Sequence, residues 1–163
     1  MDLHPDFKDL LAEFARYDVK YALLGGYAVG YHAKPRATKD LDLLISGQHD
    51  NLERVASALA SFGAPAHVVE SARTLAIDEI AHFGVPPVRV DLLRSADGID
   101  TDGAIARAQL VVLGALRIPV LTVDDLIANK RAAGRPQDVA DVALLERARK
   151  RSREGSIDTS PNR

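Results

Sequence analysis

In Asp40-Leu41-Asp42 two carboxylates stand two residues apart, at the head of the apolar run Leu43-Leu44-Ile45. On a strand, residues two apart project from one face, about 6.5–7 Å from each other along the chain. Two carboxylates drawn to about 4 Å repel by roughly 4 kcal/mol at an effective dielectric of about 20. A cation between them removes that repulsion, and hard oxygen donors select Mg²⁺ or Mn²⁺ over zinc. A D-x-D pair can equally cap a solvated loop, so its surroundings decide.

A third carboxylate lies in Val88-Arg89-Val90-Asp91-Leu92-Leu93. Strand alternation puts Val88, Val90 and Leu92 on one face, with Asp91 opposite them beside Arg89 and Leu93. An Asp inside an apolar strand is costly unless it is paired, bound to metal or turned to water at a sheet edge. With Asp40 and Asp42 it makes three ligands, enough to anchor two ions roughly 3.5–4 Å apart.

Leu24-Gly25-Gly26 falls between a strand pattern and a helix pattern. Backbone N–H groups at a helix N-terminus bind phosphate, and glycine lets the phosphate come close. The dinucleotide fingerprint G-x-G-x-x-G is absent, and Tyr31-His32 stands where a P-loop needs Lys and Ser or Thr. A tight turn would use the same glycine pair.

The elements that would position these groups read as an alternation. A first helix is expected over residues of about 5–17, on the spacing of Phe7, Leu10, Leu11 and Phe14. A strand follows at 21–24, a short helix at 27–33, and a basic loop holding Lys34, Arg36 and Lys39. A second strand is predicted at 41–45, then a helix along Leu52, Val55, Ala56, Leu59 and Ala60, closed by Gly63 and Pro65. Further strands are expected at 67–69, 74–77, 88–93, 110–113 and 118–120, and a short helix at 104–108. Thr122-Val123-Asp124-Asp125 has the form of a capping box opening a helix to about Arg131. Pro136 starts the last helix, expected to end near Lys150; residues 151–163 are polar and expected to be disordered. The reading is an α/β domain over 1–150, with a mixed sheet of about four to six strands flanked by helices.

The chain has 163 residues, 47% of them apolar and only 5% aromatic with no Trp, so Ala, Val, Leu and Ile must fill the core. It has no Cys, which excludes disulfides, thiolate catalysis and cysteine zinc sites and makes a reducing cytoplasm the expected compartment. The N-terminal residues do not read as a secretory signal, and no stretch approaches the apolar length of a membrane span. A formal charge of −2 argues against non-specific coating of nucleic acid while allowing a local basic groove. The five histidines have no metal-ligand spacing, and His32 reads as packing or surface.

Taken in order, strand, Gly-Gly, helix, basic loop, D-x-D strand and a later strand with one Asp, the chain resembles the minimal nucleotidyltransferases of the DNA polymerase β-like superfamily. The matching positions are Gly25, Gly26, Asp40, Asp42 and Asp91. Arg36-Ala37-Thr38-Lys39-Asp40-Leu41-Asp42 resembles the R-x-T-x-D-[LI]-D stretch of toxin-like members, the abortive-infection (AbiEii-type) branch. Lys130 to Asp141 is similar to their K-x3–5-R-x-x-D-x-x-D segment, and the likeness covers residues of about 5–150. It implies a polymerase β-like fold closed by two short C-terminal helices, and Mg²⁺ or Mn²⁺ on Asp40, Asp42 and Asp91. It also implies a nucleoside triphosphate on Gly25, Gly26, Arg36, Thr38, Lys130 and Arg135, with Asp138 or Asp141 orienting Lys130 or Arg135. The expected activity is transfer of a nucleoside monophosphate to a hydroxyl on RNA, protein or a small molecule. The chain would then act as the toxin of a toxin–antitoxin or phage-defence pair, with a cognate antitoxin as partner. Many such members carry a larger helical C-terminal domain. The rival expectation is therefore a non-catalytic nucleotide-binding or antitoxin-like module on the same fold.

Overall fold

Phe7, Leu10, Leu11 and Phe14 form the buried stripe of α1 (Pro5–Arg16), whose first turn is capped by His4. A computed structural model describes residues 1–35 and 37–157 of the chain. After α1 come β1 (Tyr21–Leu24), α2 (Gly25–His32), β2 (Asp40–Ile45), α3 (His49–Phe62), α4 (Ala66–Arg73), β3 (Ile80–Phe83) and β4 (Arg89–Leu93). They are followed by α5 (Thr101–Ala106), the hairpin β5 (Gln109–Leu113) and β6 (Leu116–Val120), α6 (Val123–Ala133) and α7 (Pro136–Ile157).

The strands form one six-stranded mixed sheet in the order β3-β4-β2-β1-β6-β5. β2 runs parallel to β4 and antiparallel to β1, and β1 runs parallel to β6. This is the expected α/β class, with helices flanking an open sheet. The central strands are apolar along most of their length: Tyr21 to Leu24 are all buried, as are Leu41, Leu43, Leu44 and Ile45. α1 packs on α3 and β6, α3 on α4, and α2 on β1, β2, α6 and α7. At the sheet end away from Asp42, Asn51 is 2% exposed. It accepts from the Lys20 N–H (2.7 Å) and donates to the Ser46 (2.9 Å) and Lys20 (3.0 Å) carbonyls, tying α3 to β1 and β2.

Four local expectations are corrected. Residues 67–69 are helical, because Val68, Val69 and Ala72 bury one face of α4 against α3; two adjacent valines read as strand only in isolation. Residues 74–77 form no strand. The strand lies at Ile80–Phe83, an edge position where only Ala81 is buried, so it lacks an apolar signature. α2 begins on Gly25 itself rather than near Tyr27. Nor is the last helix short: α7 runs 22 residues to Ile157, so residues 151–157 are helical, and the remaining six residues lie outside the described ones. Its polar final turns carry an i,i+4 contact, Lys150 to Glu154 at 3.9 Å.

Candidate functional site

The parallel register of β2 and β4 pairs Asp40 with Arg89 and Asp42 with Asp91. Side chains alternate in step along both strands: Leu41, Leu43, Val90 and Leu92 are buried, while Asp40, Asp42, Arg89 and Asp91 are partly exposed on the other face. The three carboxylates picked out by spacing therefore meet on one side of two adjacent strands. They line a cleft of about 730 Å³.

β1 brings the glycines. Leu24 pairs with Asp42, and the chain turns there into α2, with Gly25 at φ +69°. A Cβ on Gly25 would fall 2.1 Å from Asp42 Oδ2, and one on Gly26 would fall 2.7 Å from Thr38 Oγ1. The glycine pair thus makes room for site side chains as well as opening a helix whose N-terminus has no side-chain cap. Gly25, Gly26 and Thr38 all line the cleft, and the Thr38 hydroxyl donates to the Asp40 carbonyl at 3.4 Å. Arg36 lies outside the described residues.

The far wall comes from α6 and the start of α7. Lys130 has a side chain 7% exposed, with its ammonium 2.9 Å from Asp138 and 3.2 Å from Asp141, both fully buried. Lys130 is thus paired in the interior rather than at an exposed helix end. Arg135 is held as expected, its Nε donating to Asp138 Oδ2 at 2.7 Å, but its side chain is 72% exposed. Arg135 and Lys130 hold the Asp138 carboxyl far below the usual carboxylate range. Lys130, Arg135 and Asp138 line the cleft. Asp141 backs Lys130.

Electrostatics single out Asp42. Burial, then the charges of Asp91 and Asp40, push its carboxyl up to about 6, against the opposing pull of Lys130 and Arg89. Asp91 is differently placed. The Arg89 guanidinium clips it in two places, Nε to Oδ1 at 2.9 Å and a terminal nitrogen to Oδ2 at 3.3 Å. Among the described residues, no three carboxylates or imidazoles stand together as a ready ligand set. The donor chemistry nonetheless fits a hard divalent cation: oxygen donors only, on one face, with Asp42 destabilised by its acidic neighbours.

Sequence reasoning passed over two groups. Arg89 was noted only as a neighbour of Asp91, although its pairing with Asp40 and its i,i+2 relation to Asp91 place it on the cleft face. Asp78, Glu79 and Asp97 also line the cleft, from connecting segments that strand and helix patterns do not locate. His32 is a packing residue, as expected, with Nε2 2.7 Å from the Leu121 carbonyl oxygen and burial lowering its basicity. No helix among the described residues is long and apolar enough to cross a membrane. No protein-family model matches the sequence, and no curated protein is similar enough to count as a relative.

Proposed function

We propose that the chain is a metal-dependent nucleotidyltransferase of the polymerase β-like kind, transferring a nucleoside monophosphate from a triphosphate to a hydroxyl. The observation that carries this reading is the convergence on one cleft of Asp40, Asp42 and Asp91 with the Gly25-Gly26 helix start and the buried Lys130. Asp40, Asp42 and Asp91 are the residues that would hold Mg²⁺ or Mn²⁺. When bound, such ions neutralise phosphate charge and lower the pKa of a coordinated hydroxyl.

The chain's own residues do the rest by position and charge. The α2 N-terminus offers uncapped N–H groups to the triphosphate, and Gly25 and Gly26 let it approach. Lys130 supplies fixed positive charge from a pocket in which Asp138 and Asp141 leave it little freedom to move. Arg135, more exposed, would meet the phosphates from its place on Asp138. The acceptor oxygen bonds to the α-phosphorus, the bond to the bridging oxygen breaks and pyrophosphate leaves. Asp91, once released by Arg89, would receive the acceptor's proton.

One observation favours the non-catalytic alternative: Arg89 already satisfies Asp91. Incubation with each α-labelled triphosphate, Mg²⁺ and total RNA or total protein separates the two. The enzyme reading expects label in an acceptor and its loss in Asp42→Asn. Triphosphate binding without transfer in any fraction would favour the module.

A further inference from the structure

The cations of α7 are concentrated in one stretch. Between Glu146 and Glu154 stand Arg147, Arg149, Lys150, Arg151 and Arg153, in a chain whose formal charge is −2. Some have partners: Arg149 donates to Asp124 at 2.9 Å, Lys150 lies 3.9 Å from Glu154, and Glu146 is taken by Arg131. Arg147 and Arg151 are exposed, and among the described residues neither has an acidic partner; the same holds for Lys34. Arg147 and Arg151, at i and i+4 on the helix, repel each other.

These groups face one another across a groove of about 670 Å³. Arg147, Lys150, Arg151 and Glu154 form one wall with Leu144, and Ala33 and Lys34 form the other. Among the described residues, none lines both this groove and the carboxylate cleft.

We propose that this groove binds the phosphodiester backbone of a nucleic-acid strand. This binding does not rest on the transferase reading above. The chemistry favours a nucleic acid over an acidic polypeptide. Arginine forks match phosphate in two-point contacts. Among the described residues the groove offers only Ala33 and Leu144 as apolar lining, too little to anchor a protein side chain.

The test is fluorescence anisotropy on the full chain with a labelled single-stranded RNA, the DNA of the same sequence, and labelled poly-glutamate. Four cations on a single strand give a log–log salt slope of about −2.8, so affinity should fall about fifty-fold between 50 and 200 mM salt. Arg147→Gln with Lys150→Gln and Arg151→Gln should lose at least about tenfold at low salt, and bring the slope to about −0.7. Its melting temperature and its stabilisation by Mg²⁺ plus triphosphate should match wild type. The charge-keeping pair Arg147→Lys and Arg151→Lys should retain the slope. If the triple variant melts early, Arg151→Gln alone should still lower the slope by about 0.7. Whether RNA or DNA binds more tightly names the strand. Unchanged affinity and slope in the neutralised variants, or poly-glutamate binding as tightly as either oligonucleotide, would overturn the proposal. Oligonucleotide binding lost in the variant, in a wild type that no triphosphate stabilises, would keep the groove and remove the transferase reading.

Discussion

Replacing Asp42 with Asn separates a carboxylate kept for chemistry from one kept for the fold. In the folded chain burial and the charges of Asp91 and Asp40 raise its carboxyl from 3.8 to about 6. The folded state therefore holds the Asp42 proton more tightly than the unfolded chain does, and ionising the group costs stability. At a rate of about 1.4 kcal/mol per unit, that cost approaches 3 kcal/mol at pH 7. The sign follows directly: the cost is absent below about pH 4, grows as pH rises to about 6, and is complete above it. Asp42→Asn keeps the shape and removes the charge, so in EDTA at pH 7 it should stabilise the protein by about 1–3 kcal/mol. That is several degrees in Tm for a domain of this size. The gain should vanish near pH 4. Chemical melts across pH 4–8 in EDTA, beside a transfer assay that Asn should abolish, make the measurement. A loss of about 1–3 kcal/mol at pH 7 would instead mean that Asp42 accepts hydrogen bonds that hold the local backbone, and the reasoning fails.

Lys130→Met should leave Asp138 and Asp141 buried without their shared cation and cost about 3–5 kcal/mol, read from urea melts; a variant of wild-type stability would contradict the buried network. Gly25→Ala should cost about 1–2 kcal/mol for its backbone alone, and should also displace Asp42 and remove stabilisation by Mg²⁺ plus triphosphate in scanning calorimetry. An alanine variant that still responds to Mg²⁺ and triphosphate would show that Asp42 is not needed where it stands. Arg89→Met frees Asp91, so Mn²⁺ affinity measured by calorimetric titration should rise; unchanged affinity would show that the clip does not compete with metal.

The α/β class was legible in the sequence, and so was the grouping of three carboxylates that makes the candidate site. Two-residue periodicity places Asp40, Asp42 and Asp91 on strand faces opposite Leu41, Val90 and Leu92, and the β2–β4 register supplies the one fact periodicity lacks, that Asp42 and Asp91 are neighbours. Lys130, Asp138 and Asp141 stand out in the sequence only by likeness to a motif, and nothing in their spacing foretells that they are buried rather than solvated. The misreadings fall where local signal and tertiary context part. Val68 and Val69 favour strand locally but pack as a helix face on α3, and β3 pairs at the sheet edge with little apolar content. Residues 151–157 look like a polar tail, yet they continue a helix begun at Pro136. Arg89 escaped because a cation beside an Asp reads as an ordinary strand-edge pair until its partner strand is known.

The central claim is that one cleft holds divalent metal and triphosphate together. Crystals soaked with a non-hydrolysable nucleoside triphosphate and Mn²⁺ test it, through the anomalous signal of manganese. The account predicts manganese between Asp40, Asp42 and Asp91, the triphosphate against Gly25 and Gly26 near Lys130, and Arg89 moved off Asp91. Manganese bound elsewhere, or a cleft that takes up neither ion nor nucleotide while Arg89 stays on Asp91, would contradict it.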